Sequence, residues 1–117
     1  MNKKFDYLDR LIAFAGDIIL LTKKLPKDIP GNVLSKQIIR SATSTALNFG
    51  EAQGTVTTKD YISKASICLK ELRETEVNLK IMKHIHYGNE DRDQLMSECV
   101  ELIKICRTII NNKQKKL

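Results

Sequence analysis

Leu34-Ser35-Lys36-Gln37-Ile38-Ile39-Arg40-Ser41-Ala42-Thr43-Ser44-Thr45-Ala46-Leu47-Asn48-Phe49-Gly50-Glu51-Ala52-Gln53-Gly54 decides the fold. Leu34, Ile38, Ser41, Ala42, Thr45, Phe49 and Ala52 recur every three or four residues, the spacing that gathers side chains onto one face of an α-helix. Several are small, so the face is narrow and shallow and lets a neighbouring helix come close. Asn48 falls beside this face and Glu51 on its flank, about one turn apart, near enough to share hydrogen bonds inside a bundle. We read Asn48 and Glu51, with Glu74 from a later helix, as a buried polar network that specifies packing rather than a ligand site.

Upstream, the chain reads as a helix over about residues 5–24, with Phe5, Leu8, Leu11, Ile12, Ala15, Ile18 and Ile19 as its core face. Tyr7, Phe14 and Leu21 form a second apolar stripe at intervals of seven. Either that stripe widens the chain's own core or it faces another subunit. Pro26, Pro30 and Gly31 then turn the chain, because the residue before a proline is pushed out of helical geometry. The small-residue helix follows over about residues 32–53.

Thr57 is placed to cap a third helix, with Asp60 three residues on as its reciprocal acid, and the helix runs to about residue 86. Tyr61, Ile62, Ala65, Leu69, Leu72, Leu79 and Met82 share one side of it, while Ile67, Val77, Ile81 and Ile85 lie on roughly the opposite side. Glu71, Glu74 and Glu76 stand among aliphatics and need partners, for which Arg40 and Arg73 are the candidates. Asn89 is positioned to cap a fourth helix over about residues 90–112, with a seam of Leu95, Cys99, Leu102, Ile103, Cys106, Ile109 and Ile110. Short connections make sequential helices antiparallel, so the expectation is one all-α domain spanning residues 1–117, an antiparallel up-down-up-down four-helix bundle.

Composition narrows the chemistry. The chain has 117 residues, two prolines, five glycines and three cysteines, and it lacks the alternating pattern of strands. A chain this short has no room for a catalytic domain beside a separate cofactor domain. Cys68, Cys99 and Cys106 lie in helical patterns with no Cys-x-x-Cys pair, which reads as reduced, buried thiols and argues against a zinc site or a disulfide scaffold. His84 and His86 are two apart and fall on different helix faces, so they do not form a metal pair. No nucleophile–base–acid set and no phosphate loop are recognisable; the chain reads as non-enzymatic, with no cofactor and no metal. The amino-terminal stretch is interrupted by Asp6, Asp9, Arg10 and Asp17, which reads as neither signal peptide nor membrane span and therefore as a cytoplasmic protein.

The net charge is +6, from 20 Lys and Arg against 14 Asp and Glu, thinly spread along the chain. The basic end Lys113-Gln114-Lys115-Lys116-Leu117 reads as a solvated helix terminus. Lys59, Lys70, Arg73 and Lys80 fall within about a quarter of the third helix's circumference, and Lys36, Arg40 and Lys64 extend them. Such a stripe suits the phosphate backbone of RNA or DNA. A different class of function, a scaffold that docks another protein on its second apolar faces, competes with it.

Leu34 through Ser41, Ser44 through Asn48 to Glu51-Ala52, Lys59-Asp60-Tyr61-Ile62, and Lys70-Glu71 with Glu74-Thr75 and Leu79 together resemble the 23S rRNA intervening-sequence proteins. The likeness covers most of the chain. It implies a four-helix bundle that assembles into a ring-shaped homopentamer, with Tyr7, Phe14, Leu21, Ile67, Val77 and Ile81 as the oligomer interface. The accessory protein of diversity-generating retroelements, a related bundle, binds nucleic acid through a basic surface. Val77-Asn78 stands where many relatives carry an aromatic pair, and Thr45-Ala46 where they carry Ile-Gly.

Overall fold

Polar side chains set the start of the first three helices, and with them the loops. Asp6 accepts a hydrogen bond from the Asp9 amide at 3.1 Å and opens α1 (Tyr7–Lys23). Asp28 accepts from the Gly31 amide at 2.8 Å and opens α2 (Ile29–Gln53). Helix α2 therefore begins three residues before the expected position, because Pro30 lies in its first turn, where a missing N–H leaves no bond unmade. Thr57 caps α3 (Thr58–His84) by accepting from the Asp60 amide at 3.1 Å, as its spacing predicted. The start of α4 (Asn89–Gln114) corrects the expectation. Asn89 makes no cap; Gly88, at a φ of 92°, occupies the cap position without a side-chain bond. The turn is instead held by Arg92, whose Nη1 donates to the Tyr87 carbonyl at 2.8 Å, and by Tyr87, whose hydroxyl donates to Asp28.

This computed structural model describes residues 6–117, and Phe5, expected in the first core face, lies outside them. The four helices form an antiparallel up-down-up-down bundle with no strand among the described residues. In cyclic order α1 packs on α2, α2 on α3, α3 on α4 and α4 back on α1, and the diagonal helices lie farther apart across the core. The α2–α3 seam is the most extensive and the α1–α4 seam the least.

Every residue assigned to the α2 face is buried: Leu34, Ile38, Ser41, Ala42, Thr45, Phe49 and Ala52. The reading of α1 is corrected. Tyr7, Phe14 and Leu21 are 4%, 1% and 2% exposed and lie inside the chain's own core, so they are not a surface for another subunit. The Tyr7 hydroxyl donates to the Leu102 carbonyl of α4 at 2.6 Å, and its ring meets Phe49 of α2 edge-on with centroids 4.9 Å apart. Aromatic volume with a satisfied hydroxyl outweighs the aliphatic stripe; Leu8 and Ile19 are half-buried and Ile12 points to solvent.

The buried polar network is also corrected. The Asn48 amide donates to the Ser44 carbonyl and hydroxyl of its own helix, both at 2.9 Å, and Glu51 is exposed, 3.8 Å from Lys64. Glu74 is half-buried and pairs with Arg40, not with Asn48 or Glu51. The hydroxyls that do cross the α2–α3 seam are Ser41 and Thr75, 2.8 Å apart and fully buried. Thr75 donates to the Glu71 carbonyl at 2.9 Å, which leaves its lone pairs for the Ser41 proton. Such a bond contributes about 1 kcal/mol and favours the register that aligns the two hydroxyls.

All three cysteines are free and buried. Burial pushes the Cys99 thiol up to about 12. Cys68 is held far above the ordinary thiol range by its hydrogen bond to Cys106 and by burial. All three are shut in the core away from reagent, which keeps them unreactive in the native protein. Titration with a disulfide reagent is expected to modify none of the three in the native protein and all three in denaturant; modification at the native rate of an exposed thiol would show that the α3–α4 core opens.

Gly31 and Gly50 make opposite predictions. A Cβ at Gly31 would lie 2.0 Å from the Pro26 carbonyl oxygen, whereas one at Gly50 would meet only Leu8 methyls at 3.9 Å. Urea unfolding should show Gly31→Ala destabilised by about 1–3 kcal/mol and Gly50→Ala stabilised by up to about 1 kcal/mol.

Asp28 ties two loops together, and the hydrogen bond from Tyr87, then that from the Gly31 amide, hold its carboxyl below the usual 3.8. A carboxyl lowered in the folded state adds stability above its unfolded value and loses it as pH falls through the folded one. Asp28→Asn should therefore lose less stability than the parent chain between pH 6 and pH 3; an identical acid profile would show that this contact does not form in solution.

Candidate nucleic-acid interface

The cations expected to form a binding stripe divide into two sets. Arg40 Nη1 donates to Glu71 at 2.9 Å and Nη2 to Glu74, so the α2 arginine neutralises two carboxylates of α3. Glu71 is only 5% exposed, which makes Arg40 the counter-charge that allows it to sit in the seam. Hydrogen bonds to Glu74 and then Glu71 raise the Arg40 guanidinium further above its ordinary range. Lys64 lies beside Glu51 on the α2 side. Neither is a free phosphate ligand.

Lys36, Lys59, Lys70, Arg73 and Lys80 are exposed and make no ion pair among the described residues. Arg73, the other candidate partner for the α3 acids, is thus left uncompensated. Lys70 and Arg73 are one turn apart on the outward ridge of α3. Lys59 lies about 16 Å before Lys70 and Lys80 about 10 Å beyond Arg73 along the axis, so the four do not form one tight cluster.

The fold adds two cations that spacing along α3 did not reveal. Because α4 runs antiparallel beside α3, Lys104 and Arg107 come next to Arg73 around a shallow depression of 370 Å³ that also includes Val77 and Val100. Arg107 has no ion pair among the described residues, and Lys104 has only Glu101, 3.8 Å away on its own helix. Arg73, Lys104 and Arg107 thus gather around one depression, with Glu76 also in its lining, and Lys70 stands one turn before Arg73. Their separation of more than thirty residues in sequence hid the grouping.

On the other side of the ridge, between α2 and α3, lies a groove of 780 Å³. Leu69, Val77 and Ile81 give it an apolar floor, and Lys70, Arg73 and the Arg40–Glu74 pair line its rim. Ile67 is exposed but does not line this groove. The carboxy-terminal cluster contributes one ordered member: Lys113 lies over the Tyr61 ring, 4.4 Å from its centroid, which anchors the end of α4. His84 and His86 are exposed, and no group of three His, Cys, Asp or Glu among the described residues could hold a metal. No helix of the described chain is long and apolar enough to cross a membrane.

Residues 3–108 match the family model described as 23S rRNA-intervening sequence protein. The chain is also similar to a crystal structure of a protein with unknown function from the S23 ribosomal protein family of Bacteroides thetaiotaomicron. The two are 33% identical with a TM-score of 0.81, over 90% of this chain and 98% of that one. No curated protein matches the chain.

Proposed function

The chain belongs to the 23S rRNA-intervening sequence protein family, and from that premise we propose that it is a non-enzymatic, homo-oligomeric protein of the bacterial cytoplasm that holds the phosphate backbone of RNA or DNA. The observation that carries this reading is the gathering of Arg73, Lys104 and Arg107 around one depression between α3 and α4, with Lys70 one turn before Arg73; Glu76 is the one acid in its lining, and Lys104 alone of the three has an ion pair, with Glu101. Phosphate contacts of this kind give affinity without base readout. The lining carries no aromatic stacking platform, which favours structured or duplex nucleic acid over unstacked bases.

One patch of four cations binds weakly. Repetition around a ring, the homopentamer that the family resemblance implies, multiplies it through effective concentration. Structured ribosomal RNA is the first probe because the family is named for 23S rRNA.

The test is binding of nuclease-treated protein to labelled structured RNA and duplex DNA across a salt series. Micromolar or tighter affinity is expected, falling linearly with the logarithm of salt. Replacing Lys70, Arg73 and Arg107 by Glu should lower affinity at least tenfold and flatten the salt slope, by roughly 0.9 per lost contact on duplex DNA. Unchanged affinity in that variant would overturn the proposal. The second reading, a protein-docking scaffold, is favoured by the apolar floor of the 780 Å³ groove; absence of nucleic-acid binding at low salt by an intact oligomer would transfer the function to it.

A further inference from the structure

Every buried polar side chain among the described residues has a hydrogen-bond partner except one. Thr22, Ser41, Thr45, Glu71, Thr75 and Arg92 are each bonded. Asn78 of α3 is 8% exposed, and its carboxamide makes no hydrogen bond among the described residues. No wholly enclosed side-chain nitrogen or oxygen among them lacks a partner, so this amide opens into the 780 Å³ groove that it lines between α2 and α3. An amide held so deep costs stability unless something pairs with it, and nothing within the described chain does.

Three chemical demands meet in that groove. Leu69, Val77 and Ile81 present an aliphatic floor, Asn78 presents a donor and an acceptor side by side, and Lys70 and Arg73 stand at the rim without ion pairs among the described residues. Glu74, the acid in the lining, is taken up by Arg40. Along the helix axis Arg73 lies about 7 Å and Lys70 about 12 Å before Asn78, a separation at which the amide and the cations can hold two parts of one ligand. A hydrocarbon would cover the floor and leave the amide unpaired. A lone phosphate would reach the cations and leave the floor in water. A nucleotide answers all three demands, with flat apolar faces, a hydrogen-bonding edge and a phosphate. A carboxamide pairs bidentately with adenine, through N6 and N7. We propose that the groove takes one unpaired adenine nucleotide, its base on the aliphatic floor with its edge against Asn78 and its phosphate on Lys70 and Arg73. The site rests on the backbone-binding reading above for its two cations and adds a base contact to it. Its occupant is a free nucleotide or an extruded nucleotide of a bound RNA, two sources of the same chemistry.

The test compares the full-length wild type with Asn78→Leu and Asn78→Asp, with folding checked by thermal melting and size by sedimentation. Asn78→Leu removes an unpaired amide and is expected to melt no lower than the wild type; Asn78→Asp keeps the shape and loses the donor. The probes are AMP and three RNA hairpins that differ only in the stem: fully paired, with one bulged adenosine, or with one bulged uridine. The wild type is expected to bind the adenosine-bulged hairpin about tenfold tighter than the other two. Both variants should lose that preference and keep the affinity for the paired hairpin, whereas Lys70→Glu and Arg73→Glu should weaken binding of all three. Saturable AMP binding that Asn78→Leu abolishes assigns the free nucleotide as an occupant; a bulge preference without AMP binding assigns the RNA nucleotide. A bulge preference that survives in either Asn78 variant overturns the site. Binding of the paired hairpin with neither a bulge preference nor AMP binding overturns the site and leaves the backbone reading standing. Failure to bind any RNA overturns the backbone reading; AMP binding that depends on Asn78 would then still support the groove, and its absence would overturn the groove too and return it to the protein-docking reading.

Discussion

The close approach of α2 to α3 is the constraint on which the rest of the bundle depends. Ser41, Ala42 and Thr45 give α2 a face with little side-chain volume, and Thr75 answers it from α3. Two helices can meet closely only where side chains are small, and once they do, the buried hydroxyls have few partners to choose from. The bond between Ser41 and Thr75 satisfies both and fixes the axial register. A one-turn slip would break this bond, leaving each hydroxyl only a carbonyl of its own helix, and would separate Arg40 from Glu71. Register thus propagates outward: it brings the Arg40 guanidinium over a carboxylate that could not otherwise lie in the seam.

That ion pairing also shapes the surface field. The net charge of +6 is modest and evenly distributed along the sequence, yet the folded surface is not even. Glu71 and Glu74 are taken up by Arg40, Glu98 by Arg10, and Asp91 by Lys24. What is left uncompensated on the α3–α4 side is positive. A patch arises because acids are consumed by structural pairs at the seams, while Arg73 and Arg107 make no ion pair among the described residues and only Glu76 and Glu101 stand near them.

The sequence was most legible where one physical requirement acted alone. Along α2 only the small apolar residues recur with helical spacing, and all seven were placed correctly. Along α1 two apolar stripes compete, offset by about one residue of rotation, and hydropathy does not rank them; what ranks them is the Tyr7 hydroxyl reaching the Leu102 carbonyl, a contact across 95 positions. Asn48 and Glu51 looked like a buried pair because helix periodicity marks a flank without saying whether a neighbour covers it. Asn89 looked like a cap because its residue type favours one, but the backbone reaches α4 through a left-handed turn at Gly88. For the candidate site, the α3 cations were visible from spacing on a single helix. Lys104 and Arg107 were not, since their proximity to Arg73 depends on how α4 lies against α3.

The placement of uncovered surface follows from the same cyclic packing. In a four-helix ring each helix buries the arc facing its two neighbours, and an apolar residue beyond that arc has no use within the chain. Leu20 and Ile81 lie beyond it on diagonal helices, where no rotation of either helix could cover both without exposing Phe14 or Leu79, which are essentially buried. Exposed aliphatics at helical spacing on opposite sides of a small bundle are costly to leave in water, since each buried methylene would contribute about 0.8 kcal/mol. Scattered residues of this kind are ordinary on a folded surface, and here they lie where the arc that faces the core is already filled.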